Sequence, residues 1–322
     1  MFRNLSTDAL GFWAPQNEQI ELALSFGFKS IDIDVVDFAE QVQSRGPDKA
    51  RRLINSAKIK IGAFRLPVDL EADDATYRQR VQPLDNWGTL AGQIGCTRAL
   101  ISVAAASEVR PMHENFELHR SRLSEIATAL AAQKIKLGVQ FSALAHLREG
   151  KPHEFVKDFD TLVKLVNAVG RDNVGVVVDA WQMHAAGSGI DAVRSLPVDR
   201  IVYVKIADAP ADVPRDQLKE EQRLLPGAGG AIDLVGLVTV LTQMKYAGPI
   251  TPVLHFGQFH GRRRDQAIRQ IAQAMDDVWR GAGLPPALVA RTYAPAPAPV
   301  AATPAKEPEQ AKEQEEEAAQ PA

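Results

Sequence analysis

Two stretches of this chain place ionisable side chains where an apolar run leads one to expect more apolar residues. In Val174-Gly-Val-Val-Val-Asp179-Ala-Trp-Gln-Met-His184 a β-branched run ends abruptly in a carboxylate, and an imidazole follows. A carboxylate at a strand end can move a proton, and a neutral imidazole can act as base or ligand. The plainer alternatives are an N-cap for the next turn (Asp179) and a surface loop residue (His184). In Arg200-Ile-Val-Tyr-Val-Lys205-Ile-Ala-Asp208-Ala-Pro210 a lysine sits between Val and Ile. Either its ammonium reaches a polar cavity, where it can serve as acid, base or electrostatic partner, or it fills a hole as a buried ion pair with Asp179 or Asp34.

Further candidates surround these two. Asp32 and Asp34 alternate within Ser30–Val36 and so share a strand face. Two carboxylates on one face of a core strand need water, a cation or a ligand. Asp34, nearer the strand end, is the better candidate for ligand contact. Asp32 is expected to cap the following helix or to pair with an arginine such as Arg65, itself a candidate for substrate contact. Downstream, Glu220-Glu-Gln-Arg223-Leu-Leu-Pro-Gly-Ala-Gly229 joins an arginine to a glycine-containing loop. Its planar fork can clamp a hydroxyl, carboxylate or phosphate group. His255 closes the last strand run.

These residues need a frame that gathers strand ends. Eight short runs supply it: Ala9–Trp13, Ser30–Val36, Ile59–Leu66, Ala99–Ala104, Ile135–Phe141, Val174–Asp179, Ile201–Asp208 and Ile250–Phe256. Between them lie segments of helical periodicity, among them Glu18–Phe26, Glu117–Ala132, Phe155–Val169, Leu234–Tyr246 and Arg264–Arg280. Strands alternating with helices imply parallel pairing, and eight units over residues 1–284 fit a closed (β/α)8 barrel, whose sites lie at the C-terminal strand ends. An open doubly wound sheet would want a glycine-rich first turn, and Trp13-Ala-Pro-Gln-Asn17 has none. Residues 285–322 turn to Pro, Ala, Glu and Gln and are expected to form a disordered acidic tail.

Composition narrows the function. The formal net charge is −3, the one basic cluster is Arg262-Arg-Arg264 beside Arg269, and the single cysteine, Cys96, excludes an internal disulfide. Nothing here suggests a nucleic-acid or membrane partner, and a cytoplasmic protein is expected.

The segments Val177-Val-Asp-Ala-Trp181, Val204-Lys-Ile-Ala-Asp-Ala-Pro210, Arg223-Leu-Leu-Pro-Gly227 and Gly248-Pro-Ile-Thr251 resemble the sugar phosphate isomerase/epimerase superfamily, the xylose isomerase-like TIM barrels. The resemblance implies a small-molecule sugar, sugar phosphate or cyclitol as substrate, and isomerisation, epimerisation or dehydration begun by proton removal beside a carbonyl. It also implies a divalent metal held by glutamate, aspartate, histidine or glutamine, and glutamate on strands five to eight. This chain offers Gln140, Asp179, Lys205 and, near the last position, Val253 or Leu254 before His255. Gln182 stands where a histidine usually follows the strand-six tryptophan. An ammonium in place of a ligand opposes a divalent cation, so no catalytic metal and no other cofactor is expected. In that event Lys205 takes over the positive charge, Asp179 or His184 moves the proton, and Asp34, Arg65, Gln140, Gln182, Asp208, Arg223 and His255 contact substrate. The alternative is a non-catalytic barrel that binds a polyol or a partner. A nuclease reading would require metal ligands and a basic groove, and the chain supplies neither.

Overall fold

Seven of the eight expected strands form where the β-branched runs fall, and one forms elsewhere. The structure, a computed structural model, describes residues 1–259 and 261–287. Its barrel strands are β1 (Phe2–Leu5), β2 (Ser30–Ile33), β3 (Lys60–Arg65), β4 (Arg98–Ser102), β5 (Lys136–Gln140), β6 (Val174–Asp179), β7 (Ile201–Ile206) and β8 (Pro249–Pro252). Each strand lies parallel to its chain neighbour, and β1 pairs with both β2 and β8, closing a (β/α)8 barrel. Apart from residues 285–287, the expected tail lies outside the described residues.

The first strand is a correction. Ala9–Trp13, expected as strand one, is a turn and loop containing Gly11 at φ 73°, and its Leu10 amide hydrogen-bonds back to Ser6 and Thr7. Phe2–Leu5 was hidden because Arg3 and Asn4 look like surface residues, yet both are buried. Arg3 pairs with Asp276 and lies 4.9 Å from the Trp279 ring. Burial of a charge is tolerable when it is paired in this way.

Several strands are shorter than expected, and three of them end early for a clear local reason. β2 stops at Ile33 because Asp34 caps a helix, Val35–Arg45, that begins at once. β7 stops at Ile206, where the chain turns aside to exchange backbone hydrogen bonds between Asp208 and Leu224. β8 is bounded by Pro249 and Pro252, and proline cannot donate to a ladder.

Helices Gln16–Ser25, Met112–Ala131, Phe159–Val169, Leu234–Gln243 and Arg264–Gly281 cover the barrel much as the periodicity predicts. Phe159–Val169 starts later than expected because Asp158 accepts from the Thr161 amide at 2.8 Å. Phe155 meanwhile stays extended, its amide bonded to Ala105. Inside the barrel, Ala63, Leu100, Val177 and Tyr203 form a buried cluster. Burying each large apolar side chain contributes about 1.5–3 kcal/mol. That packed layer is the floor on which the mouth is built.

Candidate active site

The C-terminal mouth of the barrel divides into two sectors. On the β1–β3 side lies a cavity of about 1010 Å³ whose lining includes Asp32, Gln140, Tyr203 and Lys205, with Asp34, Arg65 and the loop that carries Trp13. The period of two along β2 turns Asp32 inward while Ile31 and Ile33 pack into the surrounding core.

Lys205 is the cation of the cavity floor. Its Nζ donates to Gln140 Oε1 at 2.7 Å, and Gln140 Nε2 in turn donates to Ser102 Oγ at 2.7 Å. No carboxylate of the described residues makes an ion pair with it. Of the two alternatives for Lys205, the buried ion pair with Asp179 or Asp34 therefore does not form. Burial pushes its pKa below the ordinary lysine range; the charge of Asp179 opposes this, while Arg223 and Arg65 add to it. With one ammonium proton on Gln140, the others are free to meet a ligand.

Asp32 was passed over in the sequence, and the structure makes it the hub of a polar network. Its Oδ1 accepts from Asn4 Nδ2 and from the Ala63 amide, each at 2.9 Å, and its Oδ2 accepts from the Tyr203 hydroxyl. Asn4 Nδ2 also reaches Tyr203 Oη at 2.9 Å and Thr251 Oγ1 at 3.0 Å, and Ser30 Oγ donates to Asn4 Oδ1 at 2.6 Å. Gly62 makes the network possible: a Cβ there would lie 2.3 Å from Asn4 Oδ1 and 2.6 Å from Asp32 Oδ1. Burial raises the Asp32 carboxyl to about 6 against the lowering effect of Tyr203, Asn4, Ser6 and the Lys205 charge. Tyr203, buried beside that carboxylate, is held well above its usual value and stays a neutral donor.

Asp34 and Asp32 thus exchange the roles expected of them. Asp34 Oδ1 accepts from the amides of Val36 at 2.8 Å and Asp37 at 3.1 Å, the geometry of an N-cap, and it reaches only the exposed rim of the cavity. Arg65 is exposed at the same rim, 3.9 Å from Asp8.

The β6–β7 side is a closed sector. Arg223, buried, donates from Nη1 and Nη2 to the two oxygens of Asp179 at 3.1 and 3.0 Å, from Nε to Glu220 at 2.8 Å, and lies 4.5 Å from the Trp181 ring. Asp179 also caps the helix Ala180–Ala185 through the amides of Trp181 and Gln182. Burial works to raise the Asp179 carboxyl, but the Arg223 charge and hydrogen bonds reverse this and hold it below the usual carboxylate range. Asp208 is saturated too. It accepts from the amides of Ala209, Gly229, Gly230 and Ile232 at 2.8–3.1 Å, fixing the glycine loop. A Cβ on Gly229 would fall 2.0 Å from the Ala209 carbonyl oxygen, so only glycine fits there.

Three other expected contacts lie outside the cavity lining. Gln182 is buried and accepts from the Ala143 amide at 2.8 Å, joining the helix after β6 to the loop after β5. His184 is half-buried, lowered by burial and then by the Arg215 charge. His255 is exposed on the loop after β8. Of the ten expected site residues, the cavity brings together Asp34, Arg65, Gln140 and Lys205.

The same geometry tests for a metal. Among the described residues no three His, Cys, Asp or Glu side chains come together as a ligand group. Of the four positions at which the resemblance implies ligands, only Asp179 is a carboxylate, and it is occupied by a bidentate arginine, while Lys205 donates to the amide oxygen of Gln140. Hard divalent ions require several oxygen or imidazole donors, and this donor set does not fit one.

A closed parallel eight-stranded barrel with a cavity at its C-terminal mouth defines the class of protein. A sequence profile of xylose isomerase-like TIM barrels matches residues 20–277. The chain belongs to that family. It is 24% identical over 257 residues to an inosose isomerase of Halalkalibacterium halodurans, covering 78% of this chain and 87% of that one. It is 25% identical over 259 residues to a 3-dehydroshikimate dehydratase of Pseudomonas aeruginosa, covering 78% of this chain but 37% of the relative. The crystal structure of the IOLI protein with a bound zinc atom superposes with a TM-score of 0.74 at 21% identity, covering 86% of this chain and 98% of that one. No helix among the described residues is long and apolar enough to cross a membrane.

Proposed function

We propose that this protein removes a proton next to a carbonyl of a sugar, sugar phosphate or cyclitol and so carries out an isomerisation, epimerisation or dehydration without a metal. The observation that carries this reading is Lys205, a half-buried ammonium tethered to Gln140 on the floor of a large cavity. In a low-dielectric site such a charge stabilises an oxyanion far better than it would in water. When the C–H bond beside the carbonyl breaks, its electron pair forms a C=C bond and the carbonyl oxygen becomes an enolate, which Lys205 stabilises by donating a hydrogen bond or a proton. Reprotonation at the former carbonyl carbon, with the neighbouring hydroxyl giving up its proton to become the new carbonyl, isomerises. Reprotonation of the same carbon on its other face epimerises, and departure of a β-hydroxyl as water, with the proton taken from carbon, dehydrates. The inosose isomerase and dehydroshikimate dehydratase relatives support this substrate class.

The closed sector changes the roles assigned from sequence. Asp179 and Arg223 satisfy one another, and we assign them to holding the mouth together. Solvent-deuterium incorporation into 2-keto-myo-inositol and 3-dehydroshikimate, followed by proton NMR, tests the proposal. Wild-type protein should exchange the proton beside the carbonyl of one of them, and Lys205→Met should slow that exchange by about 100-fold or more. Saturable binding without exchange would instead identify a polyol-binding barrel.

A further inference from the structure

We infer that Asp32 is the base that takes the proton, facing Lys205 across the cavity floor. This inference rests on the reading above and assigns its second catalytic group, which Asp179 or His184 was expected to supply.

The geometry leads there in three steps. Asp32 is the one carboxylate in the cavity lining that is not fully exposed; Asp8, Asp34, Asp37 and Asp69 all sit exposed at the rim. A base that abstracts a carbon-bound proton needs a site that excludes water, and the rim does not provide one. Next, Asp32 and Lys205 share one cavity but do not form an ion pair. Opposite charges in such a cavity would collapse together unless each had another partner. Gln140 restrains the ammonium, while Asn4, Tyr203 and the Ala63 amide restrain the carboxylate. The separation is built in, and both groups line the same cavity of about 1010 Å³. Finally, the network that fixes Asp32 draws on β1, β2, β3, β7 and β8, so the carboxylate sits on rigid strands. Positioning of this kind is a large part of proton-transfer rates.

The step balances. The Asp32 carboxylate takes the proton, the C–H electron pair enters the new double bond, and the carbonyl oxygen takes the negative charge opposite Lys205. Asp32, now a carboxylic acid, returns the proton to the former carbonyl carbon on the same face. The neighbouring hydroxyl gives up its proton to the former carbonyl oxygen and becomes the new carbonyl, which completes an isomerisation; an epimerisation needs a second donor on the opposite face. The protonated state is within reach because burial brings this carboxyl to about 6. The charged and titratable groups that feel Asp32 are Lys205 and Tyr203 on β7 and the buried Cys96 ahead of β4, and the cation Arg65 shares the cavity. Tyr203 is a positioning residue: its hydroxyl reaches Asp32 Oδ2 and receives the Thr251 hydroxyl at 2.6 Å.

Solvent-deuterium incorporation into the same two ketones, measured on the full chain from about pH 5 to about pH 8, tests the assignment. The wild-type rate should rise through a limb near pH 6. Asp32→Asn should lower it about 100-fold or more and abolish the limb, while Lys205 remains in place. Tyr203→Phe removes a donor to the carboxylate and should move the limb to higher pH, a shift that a purely structural tyrosine would not cause. This variant keeps the assignment testable if Asp32→Asn does not fold. Exchange by Asp32→Asn within a few-fold of wild type, or an unmoved limb in Tyr203→Phe, overturns the role of Asp32. Exchange of neither ketone by wild-type protein overturns the functional reading itself and the base with it.

Discussion

The two sectors of the barrel mouth hold the same kinds of side chain and use them in opposite ways. In the closed sector, built by the end of β6 and the loop after β7, Asp179 takes both arms of Arg223 and Asp208 takes four backbone amides. In the open cavity the Asp32 carboxylate of β2 and the Lys205 ammonium of β7 share a lining and are kept apart by neutral partners. A satisfied ion pair has little left to offer a substrate, whereas a separated one still has charge to use. The contrast teaches that polar residues at strand ends do not by themselves mark a site. What marks it is hydrogen-bonding and charge capacity left unspent.

Breaking the closed sector should have the largest effect on stability. Arg223→Ala leaves Asp179 buried without its counter-charge and should cost about 3–5 kcal/mol in urea unfolding. Pairing it with Asp179→Asn should recover part of that loss. A cost below about 1 kcal/mol would mean that the pair is not structural. In the open sector, Gly62→Ala forces a methyl group into the Asn4–Asp32 network. The expected cost is about 1–3 kcal/mol in thermal unfolding, together with loss of proton exchange.

The smallest change in stability is expected for Lys205→Met, despite its large effect on exchange. A lysine with its pKa depressed by burial destabilises the folded state at neutral pH, because the unfolded chain binds that proton more readily. This cost fades as the pH rises through the folded-state pKa toward the unfolded value. Lys205→Met should therefore match or exceed wild-type stability at neutral pH, with the difference shrinking in alkaline solution. A marked loss of stability at neutral pH would place Lys205 with the closed sector.

Much of the fold was legible because β-branched runs and helical periods are local signals. β1 was not, since Arg3 and Asn4 are buried only by virtue of Asp276, Trp279, Asp32 and Thr251, all far along the chain. The site divides in the same way. Lys205 was visible as a charge inside an apolar run, and it does line the cavity. Asp179 was equally visible, but nothing near it in sequence announces Arg223 as its partner 44 residues on. Asp32 was misjudged in the other direction, because its partners Asn4 and Tyr203 lie 28 and 171 residues away. The choice between Asp32 and Asp34 turned on where β2 ends, and the helix cap set that point.

The central claim is that the Lys205 ammonium supplies the positive pole of the cavity. Solvent-deuterium incorporation into 2-keto-myo-inositol and 3-dehydroshikimate by exhaustively chelated protein, with and without added Mn²⁺, tests it most directly. The account predicts exchange at the same rate in both samples. Exchange that disappears on chelation and returns with Mn²⁺ would contradict it.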